Sequence, residues 1–107
     1  MMAGTAPAIE LQERSPGQFA ACGPLTFATA RRARESGLAA FPVANSRELQ
    51  VDCTQVTSWD SAGMTVLLDW LAIAKRSGRS MHFANLSEQV QAIARISDAL
   101  ELLEKGV

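Results

Sequence analysis

The chain has 107 residues, 48% of them hydrophobic and 20% charged, with ten Lys plus Arg against eleven Asp plus Glu for a net charge of −1. That balance fits one folded domain; it excludes a disordered chain and a protein that holds nucleic acid through a concentrated positive field. One histidine and two cysteines, Cys22 and Cys53, do not make up a zinc ligand set at any usual spacing, so no metal and no cofactor is expected.

Met1 to Pro7 has no period and no cation ahead of an apolar run. It reads as a flexible tail before a single domain over residues 8–107, not as a signal peptide. Ala8 to Glu13 alternates apolar and polar residues and predicts an edge strand. Ser15-Pro16-Gly17 is a turn, and Gln18 to Cys22 a second strand ended by Gly23-Pro24, so the two should pair antiparallel. Thr26 offers an N-cap for a helix from Phe27 to Ser36, with Gly37 placed to stop it. Its Arg31, Arg32 and Arg34 read as a solvated face before they read as a contact for an acidic partner.

Leu38 to Arg47 is a loop broken by Pro42, with Leu38, Phe41 and Val43 expected to turn inward. Glu48 to Val56 is the clearest strand: Leu49, Val51 and Cys53 alternate with polar residues and should face the core. A long helix is predicted from Ser61 to Ser77, closed by Gly78. Ser80 to Ala84 forms the next strand, and Ser87 caps a helix from Glu88 to Ile96. Asp98 to Lys105 is a last short helical stretch. The order β-β-α-β-α-β-α-α predicts an α/β fold, a mixed sheet covered by helices. The longest uncharged stretch, Ser15 to Ala30, is interrupted by Pro16, Gly17, Gly23 and Pro24, so no direct membrane insertion is expected. Two unpatterned cysteines fit a reducing compartment and a cytoplasmic location.

The informative segment is Asp60-Ser61-Ala62-Gly63. Asp60 ends a strand region and can cap the helix by accepting from backbone donors of its first turn. Ser61 projects from the positive end of the helix dipole, where a phosphate would meet backbone N–H groups. Gly63 costs the helix roughly 1 kcal/mol relative to Ala, which implies that something approaches the backbone closely there.

From Val51 to Leu68 the sequence resembles the STAS domain family (sulfate transporter and anti-sigma factor antagonist), in which a strand and a short polar link lead to Asp-(Ser/Thr)-x-Gly at the start of a helix with a Leu-rich face. The resemblance extends over most of Leu11 to Leu103, with Gly23-Pro24-Leu25-Thr26 at the link to the first helix. It implies the STAS fold and a non-enzymatic protein-binding module, with Asp60, Ser61 and Gly63 at the contact surface. In anti-sigma factor antagonists of the family the hydroxyl residue is phosphorylated by a partner kinase. In a second subgroup the STAS protein is a small subunit of the Mla-type phospholipid ABC transporter. The wording Leu67-Leu68-Asp69-Trp70-Leu71 and the compact length look closer to the second. The resemblance therefore implies an accessory protein that binds and supports an ABC transporter ATPase subunit in lipid asymmetry maintenance, peripheral to the inner membrane through that complex. The alternative is an antagonist of an anti-sigma factor kinase, regulated by phosphorylation of Ser61.

Two tryptophans join the candidate interface. Trp70 lies on a second apolar stripe of the long helix, Ala62-Val66-Trp70-Ile73, beside the stripe expected to be buried; it is either a docking anchor or packed over a neighbouring element. Trp59 precedes the motif and could shield the Ser61 loop or contact the partner. A small enzyme with Ser61 as nucleophile would need His82 as its base, from an unsuitable place in the next strand. Cys53 and Cys22 read as inert core thiols.

Overall fold

The structure, a computed structural model, describes residues 8–96. The expected tail over residues 1–7 and the helical stretch from Asp98 to Lys105 lie outside the described residues. Strands β1 (Glu10–Ser15) and β2 (Gln18–Leu25) form the expected antiparallel hairpin, with Ser15 opposite Gln18. Pro16 and Gly17, the latter at φ +78°, are the central pair of a type II turn.

β2 does not end at Gly23-Pro24. It continues to Leu25 because a further strand runs parallel beside it, with Gly23 next to Val56 and Leu25 next to Trp59. Pro24, which has no N–H to give, falls at the irregularity between those two pairs. The predicted single strand from Glu48 to Val56 is two segments, β3 (Glu48–Asp52) and β4 (Val56–Trp59). The break has a local cause. Asp52 Oδ1 accepts from the Thr54 backbone N–H at 2.9 Å and from its hydroxyl at 2.6 Å, turning the chain, and the Val56 N–H then donates to the Cys53 carbonyl at 3.2 Å. β3 pairs with the first half of β2 and β4 with the second. β5 (Ser80–Ala84) lies parallel on the far side of β3, completing a five-stranded mixed sheet with β1 antiparallel at one edge.

The register aligns Phe19, Val51 and Phe83 across β2, β3 and β5. Phe41 stands edge-on to Phe19 at 5.2 Å between centroids and edge-on to Trp70 at 5.7 Å, while Trp70 stacks on Phe83 at 6.4 Å. Leu49, Val51 and Cys53 are buried as the alternation predicts. Burial pushes the Cys53 thiol up to about 12, so it is a protonated core residue.

Helix α2 (Ser61–Arg76) packs against this sheet face, and α1 (Ala30–Ala40) packs against α2. α1 starts later than predicted. The Thr29 hydroxyl, buried in the turn, donates to the Pro24 carbonyl at 2.7 Å and accepts from the Thr26 N–H at 3.0 Å, which holds residues 26–29 as a turn outside the helix. α1 also passes straight through Gly37, the expected stop. A Cβ at Gly37 would lie 2.5 Å from both Cδ1 and Nε1 of Trp70, so the glycine is the opening into which the indole fits. Trp70 Nε1 donates to the Ala33 carbonyl at 2.9 Å.

These contacts correct the expectation for the second stripe of α2. Val66, Trp70 and Ile73 are all buried, with Trp70 at 0% exposure, so Trp70 lies under neighbouring elements and is no docking anchor, while Ala62 at the start of the stripe is half-buried. Of the three loop residues expected to turn inward, only Phe41 does. Leu38 is exposed on α1, and Val43 is exposed at the end of the 3-10 turn Phe41–Val43 that follows. Helix α3 (Glu88–Ile96) begins as predicted, with the Ser87 hydroxyl accepting from the Val90 N–H at 3.3 Å.

Candidate functional site

Asp60 connects β4 to α2 and holds the start of the helix in place. Its extended backbone lets Oδ1 turn back to accept from the N–H groups of Ala62, at 2.9 Å, and Gly63, at 3.1 Å. Its second oxygen, Oδ2, accepts from the Phe27 N–H at 3.0 Å, tying the β2–α1 turn to the start of α2. The bond from the Phe27 N–H does most to hold this carboxyl below the ordinary aspartate range; burial opposes it, and the N–H groups of Gly63 and Ala62 add to the lowering. One consequence differs from the sequence reading. Two of the N–H groups expected to greet an external phosphate, those of Ala62 and Gly63, are already occupied by Asp60, which makes the helix end a poorer anion cradle than the motif suggests.

Gly63 is buried, and the close approach it implies is real. A Cβ there would overlap the Leu25 carbonyl oxygen and come within 2.9 Å of its carbon. The approaching group is the end of β2, so Gly63 positions the helix instead of facing a partner. Trp59 is likewise buried, at 8% exposure, and its carbonyl accepts from Gln89 Nε2 at 3.2 Å. It belongs to the core, which corrects the partner-contact alternative for this residue.

Ser61 is the exposed member of the motif. Among the described residues nothing hydrogen-bonds its hydroxyl, while its carbonyl accepts from the Thr65 hydroxyl at 3.2 Å. Beside it stands a residue that sequence reasoning missed. Phe27 has 83% of its surface exposed, yet its backbone is fixed to Asp60. The available signal was a large apolar side chain among Thr26, Ala28 and Thr29, which the reading absorbed into the helix. An exposed ring on a fixed backbone beside a free hydroxyl suits recognition of a protein surface.

The remaining candidates lie elsewhere. Arg31 and Arg34 on α1 are exposed and make only long ion pairs of 3.7 Å with Glu35 and Asp69, while Arg32 is also exposed, so in the free chain the run is solvated. His82 sits beside Gln50 in the sheet and is exposed on the face opposite Met81 and Phe83, which pack toward α2. It cannot serve Ser61 as a base. Asp52, Thr54 and Asn85 form a polar lock at the ends of β3 and β5. The Asn85 amide donates to Asp52 Oδ1 at 3.0 Å, and its bond, then those from Thr54, lower the Asp52 pKa. No group of three metal-binding side chains occurs among the described residues.

The Asp60 geometry makes a pH prediction. A carboxyl with a lowered folded-state pKa stabilises the fold above its unfolded value of about 3.9, and that contribution is lost as pH falls through the folded value. Asp60→Asn keeps an acceptor for the helix cap but cannot charge. Its urea midpoint should therefore fall less than that of the unsubstituted protein between pH 6 and pH 3, to a degree reduced by solvent screening. Parallel pH profiles for the two proteins would contradict the bonding described for Asp60.

A family model described as "Mlab, STAS domain" matches residues 11–104. The chain belongs to the STAS domain family. Among solved structures, the fold is similar to "Structure of the Anti-Sigma Factor Antagonist SpoIIAA in its Unphosphorylated Form", with a TM-score of 0.63, 12% identity and 82% of each chain covered. No curated protein matches the sequence significantly. Among the described residues no helix is long and apolar enough to cross a membrane.

Proposed function

We propose that this protein is a non-enzymatic accessory subunit that binds the ATPase subunit of a phospholipid-transporting ABC complex and supports its activity. The observation that carries this reading is the exposed pair Phe27 and Ser61, both fixed by Asp60, in a chain matched over residues 11–104 by a family described as "Mlab, STAS domain". A free hydroxyl and an unburied aromatic ring on a rigid corner can dock against a partner at small ordering cost. Any effect on the ATPase would come from unequal affinity for its states, because a ligand shifts an equilibrium only by that difference. Residence in the cytoplasm, at the membrane surface only through the complex, belongs to the same reading.

The second reading is an anti-sigma factor antagonist switched by phosphorylation of Ser61. It is favoured by the exposure of that hydroxyl beside an already engaged carboxylate. A phosphate there would bring about −1.5 to −2 charges next to Asp60, with the Ala62 and Gly63 donors already taken. The cost to the fold would be small, and the cost at a packed interface large.

Affinity purification from the native source separates the two readings. A stoichiometric ABC-type ATPase, with lower ATPase activity when this protein is removed, is the expected result; repeated recovery of a serine kinase without an ATPase would replace the first reading with the second. In the recovered complex, Phe27→Ala should weaken binding by ~2 kcal/mol or more. The same change should leave stability within ~0.5 kcal/mol, because the ring touches little of its own domain. Calorimetric titration beside a thermal melt checks both figures.

A further inference from the structure

The first turns of α1 and α2 do not close on each other. Ala30 on α1 and Ala62 on α2 are too small to fill the space between the helices, and a groove of about 370 Å³ opens there with Val66 also contributing to its wall. Arg31, Arg34 and Asp69 also line it. The groove starts next to Ser61 in the chain, at Ala62, and Thr65, whose hydroxyl donates to the Ser61 carbonyl, also lines it. Its α2 side runs from Ala62 to Asp69, about 10 Å at 1.5 Å per residue, or two helical turns.

The charge around it is unequal. α1 presents Arg31, Arg32 and Arg34 against one carboxylate, Glu35, whereas the lining contributed by α2 holds one carboxylate, Asp69, and no cation. The Arg34–Asp69 pair spans 3.7 Å with both side chains about half exposed, and Arg31 is 93% exposed beside Glu35. Such pairs contribute little to the fold, so both guanidinium groups can exchange partners at low cost. A guanidinium pairs best with a carboxylate in a two-point contact.

We infer that the α1–α2 groove receives a two-turn amphipathic helix of the partner protein, apolar on the side that enters and carrying Asp or Glu on the flank facing Arg31 and Arg34. This inference rests on the reading that a protein partner docks at Ser61, and it extends the contact from a corner to a groove. Small residues below and cations on one rim match an apolar segment with acidic flanks. They also set its direction of approach, since only the α1 side attracts carboxylates.

The test is titration of the ABC ATPase subunit recovered with the protein, using the full chain and its Arg31→Glu/Arg34→Glu and Thr65→Trp variants, each checked for an unchanged melt. Ser61→Asp serves as the comparison. Both groove variants should weaken binding roughly tenfold or more, and only the arginine variant should flatten the dependence of affinity on salt. Loss of binding with Ser61→Asp but none with the groove variants would overturn the groove while leaving the docking reading intact. Failure of the unsubstituted protein to bind would overturn both. Binding of the unsubstituted protein to anionic phosphatidylglycerol vesicles that is lost with the arginine variant, with ATPase affinity unaltered, would assign the groove to a lipid surface and overturn the inference. Self-association abolished by Thr65→Trp, again with ATPase affinity unaltered, would overturn it in favour of a second copy of the chain.

Discussion

Trp70→Ala should remove ~3–5 kcal/mol of stability, the cost of an unfilled space where a buried aromatic ring stood. Domains of ordinary stability hold only about 5–15 kcal/mol in total, so the variant should be marginal at room temperature. The indole is fully buried, it contacts both Phe41 and Phe83, and it fits the opening left by Gly37. It also satisfies a second acceptor site on the Ala33 carbonyl. Trp70→Phe should recover most of the packing and lose roughly 1 kcal/mol with the hydrogen bond. Urea unfolding of the three proteins checks the series. A Trp70→Ala variant as stable as the parent, with weakened partner binding, would return this residue to the surface and contradict the core described above.

Gly63→Ala carries the second large effect, and its sign opposes helix propensity. Alanine is the better helix former by about 1 kcal/mol, so an isolated helix would gain from the change. Here the new methyl group meets the Leu25 carbonyl, a backbone group that cannot rotate aside. Relief requires the start of α2 to move away from β2, which disturbs the bonds from Asp60 to Ala62, Gly63 and Phe27 together. A net loss of about 1–3 kcal/mol is expected, as for other overpacked sites, along with displacement of Ser61 relative to Phe27. Denaturant melts combined with partner titration would show both consequences. A stabilised variant with full affinity would mean that β2 does not press on the helix as described.

The parts of the fold legible in the sequence were those decided by neighbours along the chain. The β1–β2 hairpin follows from alternation on either side of Pro16-Gly17. α2 and β5 begin at the predicted Ser61 and Ser80, because the cap at Asp60 and the closing Gly78 are local signals. The misplaced boundaries depended on distant groups. Thr26 and Thr29 are both plausible helix caps, and the buried contact of Thr29 with Pro24 decides where α1 starts. Gly37 reads as a stop until Trp70, far along the chain, is known to fill the space beside it. The break between β3 and β4 came from the Asp52 side chain competing for the backbone, which an alternating pattern does not reveal.

The site was legible in its residues and less so in their duties. Asp60, Ser61 and Gly63 stand together at the start of α2, as the motif suggested. Asp60 and Gly63 serve the joint between strand and helix, and Ser61 alone faces outward. Two apolar stripes on one helix could not show that α1 would cover the second. Nor could the sequence show that Phe27 falls in a turn that leaves its ring exposed.

In the proposed docking Ser61 lies in the contact with a protein partner, and the affinity of Ser61→Asp for that partner is the decisive measurement. The substitution adds a carboxylate at the first position of α2, where the helix dipole favours negative charge and the neighbouring Asp60 opposes it, so the melt should shift by little. Ser61→Thr should retain binding, since it keeps the hydroxyl and adds one methyl group. Ser61→Asp should fold with a near-normal melt and lose at least about tenfold in affinity through bulk, desolvation and repulsion. Unchanged affinity of Ser61→Asp for the purified partner would contradict the proposed docking.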